Sequence, residues 1–345
     1  MILRTFDPLG PAFLPVGRHG DEPACALWWS GCGVRTRLAC TRLEIEVDAP
    51  TSSGGHAPWL AVEADGAPIA RLPLAPGRGR YLLLAGMDPA VAHEIAILRD
   101  TQPTGDEDGP VVLRGVFTDS EPQPPRRRRL VLECLGDSLT AGEGALGPVD
   151  AMEWRMAWIS NRAALPSLVA RRLDAELRVV AMGGWGCWRG YDGDAAHRIG
   201  AVYDRLCAVT PGGDAPYDFA AHPVDAVVIG LGTNDASALD LLPESQRPDG
   251  TAAIRESAEA LLRQVRAANS AAHILWTYGL LGDALGAPLR AAVEARLDAG
   301  DSRVHWLQLD DFGGDFGARQ HPSRAAHRRA ADQIADILAA LINDD

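Results

Sequence analysis

The 345-residue sequence contains no lysine, so all 33 of its basic residues are arginine. This absence excludes two chemistries that need an ε-amine, a pyridoxal-phosphate Schiff base and a lysine-containing phosphate loop. Acidic residues outnumber basic ones, and the formal net charge of −13 at pH 7 disfavours attraction to nucleic acid or to an anionic membrane. We therefore expect neither nucleic acid nor a membrane as a partner, and we expect no cofactor.

Cysteine is scarce, and apolar runs are short. No two of the six cysteines have C-x-x-C spacing, and no neighbouring histidines complete a zinc signature, so no metal site is expected. No run of 18 apolar residues occurs, so no transmembrane helix is expected. Residues 1–17 lack the basic and apolar regions of a signal peptide, which favours a reduced, cytoplasmic protein. A secreted chain whose signal had been removed has the same pattern.

The composition and length are those of a globular protein of about two domains, with 47% hydrophobic and 23% charged residues. Within a predicted first domain of residues 1–121, residues 34–117 show short runs of period two, in which Leu43, Ile45 and Val47 face the same side of a strand. An Asp-Gly pair at 65–66 indicates a tight hairpin turn. Short strands separated by turns predict that this smaller domain is an all-β sandwich.

The pattern changes after residue 121. Residues 122–129 combine prolines with four consecutive arginines, which predicts a stiff, solvated linker rather than a nucleic-acid patch, because the whole chain is acidic. From residue 130, five short apolar segments alternate with helix-like stretches. This alternation predicts an α/β domain over 130–345, built on a doubly wound parallel sheet whose ligand site lies beyond the carboxyl ends of the strands.

The strongest candidate site is Gly136-Asp137-Ser138-Leu139, directly after the first apolar segment of the second domain. A serine on a strand-to-helix turn can aim its hydroxyl into a cleft, while neighbouring amides point where negative charge develops. The same residues suit an ordinary turn in which Ser138 caps a helix. Taken alone, the motif leaves the nucleophile and the cap equally open.

Three further blocks follow at successive strand ends. They are Gly-Gly-Trp-Gly at 183–186, Gly-Thr-Asn-Asp at 232–235 and His-Pro-Ser at 321–323, just before the last helix. Together with the serine motif, they resemble the serine, glycine, asparagine and histidine blocks of the SGNH (GDSL-type) hydrolases, in the same order. The resemblance implies a flavodoxin-like sheet and a serine hydrolase.

The resemblance also implies a role for each block. Ser138 is the nucleophile and His321 the general base that takes its proton, because a neutral serine hydroxyl is a poor nucleophile. The backbone amides of Ser138 and Gly184 and the side-chain amide of Asn234 form an oxyanion hole. Asp137 supports the loop through hydrogen bonds to backbone.

Two other histidines compete with His321 for the role of base. His222 also precedes a proline, but it comes before the third strand, at the opposite end of the sheet. His327 falls inside the predicted final helix, where packing or local capping is expected. His321 precedes that helix at the end of the sheet that carries the other blocks, so it is the predicted base.

The sequence departs from the SGNH pattern three residues before the histidine, where these enzymes usually have an aspartate and this chain has Ala318. Asp310, Asp311 and Asp315 could reach the histidine only through an unusual loop. One branch, the family-two carbohydrate esterases, lacks this aspartate, orients its histidine through backbone carbonyls and has an N-terminal jelly roll. The closer resemblance to that branch implies a Ser–His dyad and a jelly-roll first domain.

Segments 29–33 (WSGCG) and 182–191 (MGGWGCWRGY) resemble blocks of the same branch. That branch usually has an aromatic residue directly before the histidine, where this chain has Gln320. Trp185 and Trp188 are the candidates for a substitute substrate-binding surface. Core packing is the alternative for both tryptophans.

These observations predict an esterase that removes small acyl groups, foremost acetyl, from carbohydrates through an acyl-enzyme on Ser138. Its partner is then an acylated sugar or another small ester. A lipid esterase, aryl esterase or thioesterase of the same superfamily is the alternative among enzymes. Residues 184–190 also resemble a loose dinucleotide-binding loop, but a nucleotide-binding function would leave the asparagine and histidine blocks unexplained. A glycan-binding protein with an inactive hydrolase domain is a further alternative, but it does not explain why the nucleophile, oxyanion and base positions are all intact. The oligomeric state stays open.

Overall fold

A computed structural model of the protein describes residues 2–21 and 23–343, and its strands form three five-stranded sheets. The first ten strands are β1 (Arg4–Phe6), β2 (Leu14–Val16), β3 (Cys25–Leu27), β4 (Gly33–Leu38), β5 (Arg42–Ala49), β6 (Trp59–Ala64), β7 (Ala67–Pro73), β8 (Gly77–Ala85), β9 (His93–Arg99) and β10 (Val111–Thr118). One antiparallel sheet contains β1, β3, β5, β8 and β10, and the other contains β2, β4, β6, β7 and β9.

The two antiparallel sheets share a core. In β5 the alternating residues Leu43, Ile45 and Val47 are all fully buried, as the period-two pattern predicts. Ile95 and Ile97 of β9, in the other sheet, belong to the same continuous cluster. Each sheet therefore buries one face against the other, and the predicted all-β sandwich is confirmed.

The hairpin between β6 and β7 turns at Asp65 and Gly66, as the sequence predicts. Both residues have positive φ angles, 52° and 79°. A two-residue hairpin loop with positive φ at both positions matches the right-handed twist of the flanking strands, and Asp-Gly adopts it at low cost.

The third sheet is parallel and lies in the second part of the chain. Its strands are β11 (Leu130–Gly136), β12 (Ala175–Ala181), β13 (Ala226–Gly230), β14 (His273–Tyr278) and β15 (Val304–Gln308). Their spatial order is β12-β11-β13-β14-β15. This second-first-third-fourth-fifth order is that of flavodoxin-like sheets, whose ligand crevice lies where the order reverses, here between β11 and β13.

The helices are α1 (Ser138–Ala141), α2 (Leu165–Arg172), α3 (Thr233–Asp240), α4 (Arg247–Ala268), α5 (Gly286–Asp298) and α6 (Arg324–Asn343). Single 3₁₀ turns occur at Met156–Trp158, Asn161–Ala163, Ile199–Ala201, Glu244–Gln246 and Ala318–Gln320.

The parallel sheet has helices on both faces. Leu132 of β11 lies in one apolar cluster with Val169 of α2 and Ile334 of α6. Leu135 of the same strand lies in another cluster, with Ile254 of α4. Because side chains at odd and even positions of a strand point to opposite faces, the two clusters lie on opposite sides of the sheet. The predicted α/β class and doubly wound arrangement are confirmed.

Buried polar contacts join the sandwich to the parallel-sheet region. Arg18, which follows β2, is fully buried, and its Nε donates to a carboxylate oxygen of Glu133 on β11 at 2.9 Å. Its Nη1 donates to the carbonyl of Tyr203 at 2.7 Å. The indole of Trp29 donates to the carbonyl of Leu206 at 2.7 Å. The two regions thus share a buried interface in which the cation of Arg18 pairs with the anion of Glu133, and Glu133 also accepts a hydrogen bond from the hydroxyl of Tyr203 at 2.9 Å.

The segment predicted as a linker, residues 122–129, is tied to the rest of the protein. Gln123 exchanges two backbone hydrogen bonds with Arg37 of β4. Arg126 and Arg128 both form ion pairs with Asp174, near the start of β12. The exact domain limits stay a prediction, and their outermost residues, 1 and 344–345, lie outside the described part of the chain.

Within the described residues, no helix is both long enough and apolar enough to cross a membrane. All six cysteines are buried and carry free thiols. Burial raises the pKa of Cys25 and of Cys207 to about 12, so these thiols stay protonated and behave as small apolar side chains.

Candidate active site

Ser138 is the first residue of α1, directly beyond the carboxyl end of β11. The N-cap of this short helix is Asp137, whose Oδ1 accepts a hydrogen bond from the backbone N–H of Leu139 at 2.9 Å. The capping role that the sequence left open for Ser138 therefore belongs to its neighbour. The serine hydroxyl remains available for another partner.

That partner is His321, which is 183 positions away in the sequence. Ser138 Oγ lies 2.9 Å from Nε2 of His321, and Nδ1 of the same ring lies 2.9 Å from the backbone carbonyl oxygen of Arg319. A carbonyl can only accept, so Nδ1 carries the proton in the neutral ring, and Nε2 presents its lone pair to the hydroxyl. This is the geometry of a general base poised on a nucleophile.

None of the three nearby aspartates orients the imidazole. Asp310 accepts from the side-chain amide of Gln333, and Asp311 accepts from the backbone N–H of Gly313. Asp315 accepts from the hydroxyl of Ser323 and pairs with Arg329. In residues 2–21 and 23–343, the contact to Nδ1 comes from a backbone carbonyl and from no carboxylate.

The other two candidate histidines lie elsewhere. His222 stacks on Tyr217 before β13, at the end of the sheet away from Ser138. His327 is the fourth residue of α6 and is fully buried. Burial, reinforced by the nearby His321, lowers the pKa of His327 to about 3, so the ring is neutral over the physiological range.

Gly184 follows β12 and has a φ of 83°, in the left-handed region that glycine adopts readily. A Cβ atom at this position would lie 3.0 Å from the ring of Tyr191, so a side chain here would press on that ring. Within the described part of the chain, the backbone N–H groups of Ser138 and Gly184 have no protein acceptor. Both are free to donate to a ligand, as the predicted oxyanion hole requires.

Asn234 lies in the first turn of α3, beyond β13. Its Nδ2 donates to the carbonyl of Trp185 at 2.9 Å and to Oδ2 of Asp137 at 3.2 Å. The side-chain amide thus bridges the serine loop and the glycine loop. Its second and longer bond is directed at the loop that carries Ser138.

Two carboxyl groups are buried beneath the site. Burial raises the pKa of Asp137 to about 7, and the charges of Asp235 and Glu143 act in the same direction. Burial also raises the pKa of Asp235, against hydrogen bonds from the backbone N–H groups of residues 187–189. Both carboxyls bind loop backbone or Asn234, which is the supporting role expected for Asp137.

The two candidate tryptophans are half-buried. Trp185 stacks on His197 with ring centroids 5.4 Å apart. Trp188 packs on the hydrophobic core and carries the guanidinium of Arg189 over its ring at 4.5 Å. Their proposed role in substrate binding stays a prediction.

Sequence reasoning missed Tyr191 as a site residue, although it closes the block at 182–191. The residue is 60% exposed, its ring would lie 3.0 Å from a Cβ atom at Gly184, and its backbone N–H donates to the carbonyl of Gly184 at 2.9 Å. A large exposed aromatic ring beside a candidate oxyanion donor is a surface on which a sugar ring can stack. Its exposure depends on the loop conformation, which the sequence pattern does not reveal.

A second missed residue comes from the sandwich. Gln102, in the loop after β9, is buried, and its side-chain oxygen accepts from the backbone N–H of Gly183 at 2.8 Å. Its own carbonyl accepts from Arg99, which forms a buried ion pair with Glu107. The sandwich therefore holds the residue that precedes Gly184.

Across residues 2–21 and 23–343, no group of three or more His, Cys, Asp or Glu side chains is arranged to hold a metal ion.

Comparison with known proteins identifies the family. The profile of the GDSL-like lipase/acylhydrolase family matches residues 134–341. The cellulase/esterase CelE of Acetivibrio thermocellus is 26% identical over 96% of this chain, and the chain spans 40% of the length of CelE. An acetylxylan esterase/glucomannan deacetylase of Cellvibrio japonicus is 26% identical, over 94% of this chain and 86% of that protein.

The solved structures agree over both regions. The acetyl xylan esterase Est2A of Butyrivibrio proteoclasticus is 26% identical and covers 99% of both chains with a TM-score of 0.94. Family-two carbohydrate esterases are among the other structures with this fold. The predicted resemblance to SGNH/GDSL hydrolases, and to that branch in particular, is confirmed.

Proposed function

Since this chain belongs to the GDSL-like lipase/acylhydrolase family, we propose that it is a serine esterase that removes acetyl groups from carbohydrate hydroxyls. The observation that carries the proposal is the 2.9 Å contact between Ser138 Oγ and His321 Nε2, at the carboxyl edge of a parallel sheet. A hydroxyl and an imidazole in this relation perform acyl transfer in many unrelated folds.

In the proposed first half-reaction, Nε2 of His321 takes the proton of Ser138 as Oγ attacks the ester carbonyl carbon. The carbonyl of Arg319, bound to Nδ1–H, keeps the ring in place and stabilises the imidazolium. The imidazolium then protonates the departing sugar oxygen as the C–O bond breaks, which leaves an acyl-enzyme. In the second half-reaction the neutral ring activates a water molecule, which releases acetate and restores the serine.

The oxyanion of each tetrahedral intermediate accepts from the backbone amides of Ser138 and Gly184 and from the side chain of Asn234. The longer bond of Asn234, at 3.2 Å to Asp137, is the one that the oxyanion replaces. Donors fixed before the reaction are stronger than water, because they need no reorganisation as charge develops.

Two observations support a carbohydrate substrate. The relatives with the same two-region architecture carry the names acetylxylan esterase and glucomannan deacetylase. Tyr191, which is exposed beside Gly184, and the half-buried Trp185, which follows Gly184 in the chain, offer aromatic rings on which sugars stack.

Acetate release from a panel of acetylated mono- and polysaccharides tests the proposal, with Ser138→Ala as the matched inactive control. We expect acetate from at least one sugar ester and faster hydrolysis of nitrophenyl acetate than of nitrophenyl octanoate. Preference for octanoyl esters or for thioesters, with no acetate from any sugar, would instead assign a lipid esterase or a thioesterase. Glycan binding without any ester turnover would leave a binding protein.

A further inference from the structure

The imidazole of His321 is oriented by a single backbone oxygen, that of Arg319. Arg319 and Gln320 have φ angles of 55° and 56°, so two consecutive non-glycine residues adopt the left-handed conformation. Side-chain-bearing residues rarely adopt this conformation, and they keep it only where the surroundings impose it. The position of the orienting oxygen therefore depends on whatever holds Arg319.

Arg319 is held through both its backbone and its side chain. Its backbone N–H donates to the carbonyl of Ala151 at 2.7 Å. Its guanidinium forms an ion pair with Glu143, whose carboxylate is buried. A charge-assisted bond to a buried carboxylate is stronger and better defined in direction than one between exposed groups.

Glu143 is in turn fixed to the nucleophile. Its backbone N–H donates to the carbonyl of Ser138 at 2.9 Å, just after the end of α1. Gly144, the next residue, permits the histidine loop to approach: a Cβ there would lie 2.3 Å from the carbonyl oxygen of Ala318 and 2.8 Å from the Cβ of His321. One short segment thus carries both the serine and the acid that anchors the loop of the base.

We propose that Glu143 and Arg319 are positioning residues of the reaction. This role rests on the proposed function. In this arrangement a buried acid orients the base indirectly. It holds the guanidinium of Arg319, which holds the backbone of that residue in the left-handed conformation, and this places the carbonyl on Nδ1. An ion pair between two loops thereby takes the orienting role for which position 318 supplies no carboxylate.

The test compares Glu143→Gln, Arg319→Met and Arg319→Lys with Arg329→Met as the matched control. Arg329 lies in α6 and forms an exposed ion pair with Asp315. Among residues 2–21 and 23–343, its hydrogen bonds go to Asp315 and to the carbonyl of Phe312, and none goes to His321. We expect kcat to fall about 10- to 100-fold in the first two variants with KM little changed, because misplacement of a base by about 1 Å has effects of this size. Arg319→Lys should recover part of the loss, and Arg329→Met should retain full activity.

Two further readouts separate positioning from a general effect of charge. Removal of the acid lowers the pKa of a nearby imidazole and removal of the guanidinium raises it, so a charge effect moves the acidic limb of the kcat/KM profile in opposite directions. Positioning predicts that both variants lose kcat and weaken the downfield Nδ1–H proton resonance of His321. The double variant should be no slower than the slower single variant, because both substitutions break one linkage.

Failure of the proposed function has a different result: the wild-type protein itself would release no acetate. An active wild type whose Glu143→Gln and Arg319→Met variants keep kcat, pH profile and resonance overturns the positioning role. Should Glu143→Gln fail to fold, Arg319→Met carries the test, since the side chain of Arg319 is 35% exposed and its loss leaves no large cavity.

Discussion

The parallel-sheet region and the sandwich contribute to the site in different ways. The residues proposed to touch the reacting atoms, Ser138, Gly184, Asn234 and His321, all come from the parallel-sheet region, at strand ends or helix starts. The sandwich contributes Gln102, which binds loop backbone and no reacting atom.

The difference follows from how the two kinds of sheet are connected. Every strand of a parallel sheet runs in the same direction, so loops that are distant in sequence meet at one edge and can combine their side chains. Antiparallel strands distribute their loops over both ends. A sandwich loop reaches this site only where it packs against it, and it can then support the site without entering the chemistry.

The largest effect is expected from Ser138→Ala. Without the hydroxyl no acyl-enzyme forms, so kcat should fall at least about 10⁴-fold, as in other enzymes whose nucleophile is removed. Steady-state rates with nitrophenyl acetate, together with mass spectrometry for an acetylated protein, measure it. Unchanged turnover in a folded variant would falsify the assignment of the chemistry to the parallel-sheet region.

Asn234→Ala should have the next largest effect. Loss of one oxyanion donor typically lowers kcat about 10²- to 10³-fold with little change in KM. Because the side chain also bridges Asp137 and Trp185, a melting curve should accompany the kinetics. A change confined to KM would place Asn234 in ground-state binding of the substrate.

Gln102→Ala tests the supporting role of the sandwich. The variant leaves the half-buried N–H of Gly183 without its acceptor, which costs at most about 1–3 kcal/mol of stability or displaces the glycine loop. We expect kcat to fall about tenfold, a smaller effect than either change in the parallel-sheet region. Gln123→Ala, an exposed glutamine that follows β10, is the control and should be neutral. A loss as large as that of Asn234→Ala would erase the distinction between the two regions.

The pH dependence of stability should differ between the regions. Burial raises the pKa of Asp137 to about 7, so the folded state resists ionisation that the unfolded chain undergoes near pH 4. This group therefore removes stability as the pH rises from about 4 to about 7. In the sandwich, the hydroxyl of Thr104 holds the pKa of Asp106 well below its usual range, so that group contributes stability that is lost as the pH falls below about 4.

Melting temperatures of Asp137→Asn and Asp106→Asn against pH measure the two contributions. The first variant should flatten the decline between about pH 4 and 7, and the second should flatten the decline below about pH 4. Equal slopes in wild type and variant, in either window, contradict the corresponding assignment.

The smallest effects are expected from Asp310→Ala, Asp311→Ala and Asp315→Ala, each within about threefold of wild type. Their carboxylates contact Gln333, the backbone of Gly313, and Ser323 with Arg329, so none supports the imidazole. A loss of about 10⁴-fold in any one of them would reveal a conventional triad that forms when substrate binds.

The features that the sequence predicts are those with local patterns. Alternation in β5 identifies a sandwich strand, and short apolar segments followed by Gly-Asp-Ser or Gly-Thr-Asn identify strand ends that meet at one edge. The sequence pattern therefore predicts that Ser138 and Asn234 lie at the same edge of the sheet. His321 was recognisable because its block precedes the final helix at the same edge.

The features that the sequence did not predict depend on contacts between distant segments. Gln102 lies in a loop without periodicity, and its partner is 81 positions away. Arg319 has no local signal for a left-handed φ, because the anchor that imposes it, Glu143, is 176 positions earlier. The exposure of Tyr191 likewise depends on the path of a loop, which neither hydropathy nor spacing encodes.

The buried pair of Arg18 and Glu133 makes the two regions inseparable in practice. A fragment that begins at β11 would lose the cation that pairs with Glu133 in the centre of its first strand, and it would expose to water the apolar surface that it shares with the sandwich. Such a fragment should be insoluble or incompletely folded, even though it keeps every residue that is proposed to react. Gene fusions that carry the parallel-sheet region alone should therefore fail to fold, whereas fusions that carry the whole chain should fold.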